Sequence, residues 1–340
     1  MPRCRREWAG AIRILFMAEP GNWAFPKGLQ PRQDELQFDL DSALDAVVQL
    51  RSEIPEDAFT ASILGTERAG NGVVIRDDGL VLTIGYLITE ASSIWLTTNS
   101  GLAVAGYPLG YDQASGFGLV QSLGRLGVPA LPRGSVSSCA LGDDVIVIGH
   151  GGRAHALKAK IIAKREFAGY WEYVLDEALF TAPAHPLWGG AAVVGDDGRL
   201  LGIGSLLVDE VLDGKQAQGN MIVPIDLLEP ILDDMMKLGR SSRPAHPWLG
   251  MYAAEASGQI VVGGLAKDGP AHRAGIRQGD MVLDVAGRRV SSLADLFRRI
   301  WALGAAGTEI PLTLAREGSL LNVRLQSADR NDFLKKPQLH

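Results

Sequence analysis

Cysteine is scarce in this 340-residue chain, with only Cys4 and Cys139. Two such residues make no disulfide framework, and no Cys-x-x-Cys pair exists to hold a metal. They read as free thiols. The six histidines show no His-x-x-x-His spacing, so neither a metal nor another cofactor is expected. A basic excess is also missing. Lys and Arg number 33 against 39 Asp and Glu, for a net charge of −6. That excludes a nucleic-acid binder, which needs a basic footprint. No apolar run approaches the ~18 residues of a membrane span, so no transmembrane segment is expected. Aromatic residues make up only 6%.

What is abundant is glycine, 41 residues, between short β-rich runs. Residues 1–38 lack periodicity, with Pro20, Pro26 and Pro31 as breakers, and read as a flexible arm. Its Trp23 and Phe25 read as loose tail aromatics, or as groups that pack on another subunit. Residues 39–50 read as a short helix, capped by Asp41, running into a strand. Gly70-Asn71-Gly72-Val73-Val74-Ile75 and Leu80-Val81-Leu82-Thr83 flank Asp78-Gly79, a hairpin signal. Residues 94–98, 145–148 and 191–194 read as further strands, the last returning at 200–203 across Asp197-Gly198. Many short strands with such turns indicate an all-β sandwich or barrel. Residues 224–238 predict a helix, with Pro224 at its first position, Ile225, Leu228, Ile231 and Met235 on one face, and Gly239 as the stop. Residues 241–247 have linker composition. Beyond them strands are expected at 260–262, 281–285, 310–314 and 321–325. A helix over 293–303 opens on Ser292 and Asp295, close to a capping box.

Two sets of motifs carry a family resemblance. The stretch from Gly70 to Thr83 resembles the Gly-Ser-Gly-Val-Ile-Ile…Asp-Gly…Ile-Leu-Thr-Asn of HtrA/Deg serine proteases, and Gly195-Asp196-Asp197-Gly198-Arg199-Leu200-Leu201-Gly202-Ile203 continues it. Gly269-Pro270-Ala271, Ala274-Gly275-Ile276 and Gly279-Asp280-Met281-Val282 through Gly287 resemble the signature of a PDZ domain. The resemblance implies an all-β dominated chain: a trypsin-like double β-barrel over 39–240, a linker at 241–247, a PDZ domain over 248–328 and a tail at 329–340.

Such a protease needs a Ser nucleophile, a His to take its proton and an Asp to orient the His. The resemblance puts these roles on Tyr86, Gly116 and Trp188, the last within Ala182-Pro183-Ala184-His185-Pro186-Leu187-Trp188-Gly189-Gly190. Tyr, with an ordinary pKa of about 10, is a poor base near neutrality. Gly orients nothing, and an indole donates one hydrogen bond but is no nucleophile. The backbone N–H that would serve the oxyanion belongs to Pro186, which has none. Losing one such donor costs roughly 10²- to 10³-fold in rate. The indole of Trp188 is expected to fill the former cleft. A relocated site drawn from His150, His155, His185, Ser115, Ser205 or Cys139 is the competing reading. A His beside Pro in a loop is more often a surface or hydrogen-bonded residue.

The resemblance implies an intact peptide site in the second domain. Trp248, Leu249, Gly250 and Met251 match the loop whose N–H groups hold a C-terminal carboxylate. Tyr252 and Ala253 would pair with the ligand, and Leu293 and Leu296 would wall its side-chain pocket. The expected function is that of a catalytically inactive HtrA-like protein binding peptide or protein C-termini, regulatory or chaperone-like. An active serine endopeptidase in protein quality control is the alternative. Expected partners are peptide C-termini and either further copies of itself or an active HtrA-like protein. Residues 1–6 are basic and 8–18 mostly apolar, but Arg13 interrupts the run and no small-residue cleavage site follows. With no clear export signal, the cytoplasm is expected, and the periplasm is the alternative the family offers.

Overall fold

The computed structural model describes residues 23–212 and 214–336. The apolar stretch at 8–18, Cys4 and most of the arm lie outside the described residues. The fold is mostly β, as the strand signals predict. Strands β1 (Val47–Glu53), β2 (Glu67–Val74), β3 (Leu80–Ile84), β4 (Ser93–Thr97), β5 (Ala103–Tyr111) and β6 (Phe117–Ser122) close a barrel in the order β1-β2-β3-β6-β5-β4. The Asp78-Gly79 signal works as expected. Gly79 takes a φ of +82°, and Val73 and Val74 pair with Leu82 and Val81. β7 (Asp144–Ile148), β8 (Ala156–Gly169), β9 (Tyr173–Ala182), β10 (Ala192–Val194), β11 (Leu200–Leu212) and β12 (Lys215–Pro224) close a second barrel, β10-β11-β12-β9-β8-β7. Alternate residues such as Val145, Val147, Ile161, Leu179, Val193 and Ile222 fill it.

The helices differ in detail from the sequence reading. Asp39, not Asp41, caps the helix Leu40–Asp45; its carboxylate accepts from the N–H groups of Asp41 and Ser42. The expected helix over 224–238 is split. Pro224 stays extended ahead of a single 3₁₀ turn, Ile225–Leu227, and the α-helix is only Leu232–Leu238. Pro230 sits between them, and the residue before a proline is disfavoured in the α region. Gly239 ends the helix in the left-handed conformation, as expected.

The described residues divide into two compact units. One comprises 23–165, 177–242 and 335–336; the other comprises Glu166–Asp176 and Arg243–Leu334. In the second, β13 (Met251–Ala256), β14 (Gln259–Leu265), β15 (Met281–Val285), β17 (Glu309–Arg316) and β18 (Ser319–Gln326) form one sheet in that order, with β16 (Arg288–Arg289) paired to β15. The helix Leu293–Trp301 packs Leu296, Phe297 and Ile300 into its core with Leu249, Met251 and Leu314. Ser292 caps that helix, accepting from the Asp295 N–H as its spacing predicts. The segment Glu166–Asp176, the tip of the β8–β9 hairpin, belongs to this unit. Its Ala168 and Val174 pack on the same core.

Candidate functional site

In the first unit the 182–190 loop is held from β2. The N–H of Asn71 donates to the Gly189 carbonyl at 2.8 Å. Its buried side chain donates Nδ2 to the carbonyls of Leu187 and Gly189, at 2.8 and 3.0 Å. Oδ1 in turn accepts from the His150 N–H at 2.7 Å. Asn71 belongs to the Gly70–Thr83 motif, which by itself assigns it no role. The signal was present, because Asn stands where the motif carries Ser, and a carboxamide reaches further and bonds twice.

Tyr86 lies in the 3₁₀ turn Gly85–Leu87 after β3, and its hydroxyl donates to the Ser205 carbonyl at 2.9 Å. The Trp188 side chain hydrogen-bonds that hydroxyl, and burial drives the phenol pKa upward. An indole is donor-only, so the chain runs from Trp188 N–H to Tyr86 O–H to the carbonyl of Ser205. Trp188 is half-buried. A Cβ on Gly189 would come within 2.8 Å of the Tyr86 hydroxyl oxygen. Two of the three sequence-predicted positions therefore meet in space. The third, Gly116, offers its carbonyl to the Gly85 N–H at 2.7 Å. Its φ is +83°, a conformation in which a side chain is strained. Pro186 is exposed, between His185 and Leu187.

His185 is completely buried, and burial lowers its pKa to about 4. Its Nδ1 accepts from the Leu187 N–H at 3.0 Å and its Nε2 faces the His155 carbonyl at 2.8 Å. A neutral imidazole has one donor and one acceptor, and both are used on backbone. Trp23 and Phe25 are not loose. Trp23 stacks on His155 with ring centroids 4.3 Å apart, and Phe25 meets His185 edge-on at 5.1 Å. Both aromatics pack within the chain because the two imidazoles offer them flat, partly apolar faces. The Ser115 Oγ accepts from the Phe117 N–H at 3.2 Å. Cys139 is half-buried, and Lys164 Nζ donates to its carbonyl oxygen at 3.2 Å.

In the second unit, the loop of Leu249, Gly250 and Met251 already holds a carboxylate. Glu172, fully enclosed at the hairpin tip, accepts from the Leu249 N–H at 3.0 Å and the Met251 N–H at 3.0 Å. Burial raises its pKa to about 7, and bonds from Met251, Leu249 and Gly250 offset only part of that. Gly250 has a φ of +68°, and a Cβ there would press on Ala266 and the Trp248 ring at 3.0 Å. The Trp248 ring thus lies over Gly250. The backbone N–H of Trp248 donates to the Ala328 carbonyl and its ring also packs on Phe333. Ala253 donates its N–H to the Tyr170 carbonyl at 3.1 Å, and Tyr252 meets the Tyr170 ring edge-on. Leu293 and Leu296 are buried in the core. Among the described residues, no group of three or more His, Cys, Asp or Glu could hold a metal ion, and no helix is long and apolar enough to cross a membrane.

Comparison with known proteins matches two families: a trypsin-like peptidase domain over residues 70–203 and a PDZ domain over 247–326. A probable periplasmic serine endoprotease DegP-like of Halomonas elongata is 25% identical over 279 residues, 78% of this chain and 57% of its own length. Serine endoprotease DegS of Escherichia coli (strain K12) is 24% identical over 268 residues, 75% of each chain. The chain thus spans little more than half the length of the DegP-like relatives. Among solved structures, the HtrA-type protease AlgW with a decapeptide covers 88% of this chain at a TM-score of 0.51 and 19% identity, which shows the fold. The DegP-like relatives are named as periplasmic, which overturns the cytoplasmic expectation. That expectation rested on finding no clear export signal in residues 1–18, a weaker guide than kinship along three quarters of the chain. The chain carries a trypsin-like peptidase domain followed by a PDZ domain, and along three quarters of its length it is similar to DegP-like and DegS serine endoproteases.

Proposed function

We propose that this chain is a catalytically inactive HtrA-like protein, a pseudoprotease that binds peptide or protein C-termini through its PDZ domain. Its role is regulatory or chaperone-like, and its partners are carboxyl-terminal segments, further copies of itself or an active HtrA-like protein. One observation supports the reading: Trp188 and Tyr86, which the resemblance puts at the nucleophile and base positions, are joined to each other by a hydrogen bond, and the Tyr86 hydroxyl donates on to the Ser205 carbonyl. Neither group removes a proton from a nucleophile near neutrality, and burial moves the phenol further from doing so. The carboxylate held by Leu249 and Met251 supports the binding half of the reading, because it demonstrates the chemistry of that loop.

The test is turnover of casein or a fluorogenic peptide. The wild type is expected to show none. The triple variant Tyr86→His, Gly116→Asp, Trp188→Ser should remain poor until Pro186→Gly restores an oxyanion N–H, a donor worth roughly 10²- to 10³-fold. Aspartate at position 116 must also adopt the left-handed backbone seen there, which limits recovery further. Wild-type turnover lost on changing His185 or Ser205 would establish the rival, an active serine endopeptidase like the named relatives, working from a relocated site.

A further inference from the structure

The β8–β9 hairpin closes through three residues, Tyr170, Trp171 and Glu172. Three-residue hairpin loops end in a left-handed position that glycine favours. Here that position is Glu172, with φ +61°. A long acidic side chain against the backbone preference, and enclosed from water, is a local conflict of the sort that marks function.

The geometry around it is that of a bound peptide terminus. Glu172 Oε1 and Oε2 accept from Leu249 N–H, and Oε1 also accepts from Met251 N–H. Two residues back along the hairpin, the Tyr170 carbonyl accepts from Ala253 N–H, two residues forward along β13. The tip therefore runs antiparallel to β13, in the register of an added strand whose end meets the amide loop. Arg298, on the helix Leu293–Trp301 that walls the other side, pairs with Glu166 and Asp176, one on each arm of the hairpin. Ala168 and Val174 lie on the core beneath.

We propose that the Glu166–Asp176 hairpin tip is a resident ligand of the PDZ groove: the Glu172 carboxylate holds the place of a peptide's terminal carboxylate, and an incoming C-terminus binds only by displacing it. This rests on the reading that the loop of Leu249, Gly250 and Met251 captures peptide termini. The resident competes at an effective concentration set by its own chain, so the apparent affinity for a free peptide falls by the fraction of time the groove stands open. Displacement is a competition of like for like, carboxylate for carboxylate, so a ligand without a free C-terminal carboxylate has nothing to offer the freed amides.

The test uses the full chain and a fluorescent ten-residue peptide ending in Val, as free acid and as amide. Binding is followed by anisotropy in the wild type, Glu172→Gly, Glu172→Gln and Arg298→Ala. Glycine favours the left-handed turn and removes the side chain with its carboxylate, so the backbone of that variant is protected; Arg298→Ala loosens the hairpin without touching the loop. At least roughly tenfold tighter free-acid binding is expected for Glu172→Gly than for the wild type. Arg298→Ala should fall between them, and the amide should bind none of them. Equal affinity in all four proteins would overturn the proposal while leaving peptide capture standing. Hydrogen exchange at the amides of Leu249, Met251 and Ala253 separates the two ideas. Protection that is present in the wild type and lost in Glu172→Gly supports residence, even if no peptide binds and the peptide-capture reading fails. Unchanged exchange overturns residence whatever the peptide does.

Discussion

A carboxylate held by backbone amides away from water is under two opposing influences. The amides favour its ionised form, and dehydration favours the neutral one. At Glu172 burial wins, raising the pKa to about 7, with bonds from Met251, Leu249 and Gly250 and the charge of Arg330 recovering part of the shift. The sign of the linkage follows. A docked tip with a raised pKa binds protons better than a released one, whose Glu titrates near an ordinary ~4.3. Docking is therefore strongest below that ordinary value and weakens as pH rises through about 7. The other groups around it do not titrate there: burial raises both Tyr170 and Tyr252, the latter to about 12, while Arg298 is paired with Glu166 and Asp176 at the hairpin base. Wild-type affinity for the free-acid peptide should rise between pH 5 and pH 8, and that of Glu172→Gly should stay flat. Parallel pH curves for the two proteins would show that Glu172 does not carry the dependence. None of this was legible in the sequence. Tyr170-Trp171-Glu172 carries no Gly, Asn or Asp to announce a turn, and the partners of Glu172 lie 77 and 79 residues downstream.

At the scale of elements, the sequence was read best where local chemistry decides. Asp78-Gly79 set a hairpin, Ser292 capped a helix and Gly239 stopped one. It was read worst where tertiary packing decides. β8 carries Lys158, Lys160, Lys164 and Arg165, and its periodicity is too weak to name a strand; barrel closure against β7 and β9 makes it one. The 182–190 loop is the same case in irregular form. No helix or strand organises residues 183–191, so its shape is imposed from a distance, by Asn71 more than a hundred residues earlier and by Asn220, whose carboxamide pairs with the backbone of His185. Asn71→Ala should strand the carbonyl of Leu187 and the N–H of His150, while the Gly189 carbonyl loses one of its two donors. It should cost about 3 kcal/mol, since each buried group left unpaired is worth ~1–3 kcal/mol and the backbone bond to Gly189 survives. Urea unfolding of the two proteins measures this. A change under about 0.5 kcal/mol would mean that the loop holds its shape without the carboxamide.

The whole molecule consists of two units with separate cores, and this division has a measurable consequence. The C-terminal unit carries one ion pair of particular geometry. Asp280 is 1% exposed and receives Arg316 in a two-pronged contact, Nε to Oδ1 and Nη2 to Oδ2, each at 2.7 Å. The same carboxylate accepts from the Arg277 N–H at 2.8 Å, and Arg316 also donates to the Gly275 carbonyl. Asp280 thus fastens the 275–280 turn to β17. The sequence marked it as part of the Gly279-Asp280 signature, but its partner Arg316, 36 residues on, could not be paired with it by pattern alone. Asp280→Ala leaves the turn's N–H and a guanidinium without their shared acceptor, and the penalty for breaking such a pair exceeds what the intact pair contributes. The penalty falls on one core. Calorimetry of the full chain should resolve two transitions, because each unit buries its own apolar cluster and domains of this size unfold as units. In Asp280→Ala one transition should move down by roughly 5 °C or more, the leverage expected for a unit of about a hundred residues, while the other stays in place. A single transition in the wild type, moving as a whole in the variant, would show that the two cores melt together. In that case the effect of Asp280 would reach the 182–190 loop and Trp188, and a change in Trp188 fluorescence at the same temperature would register it.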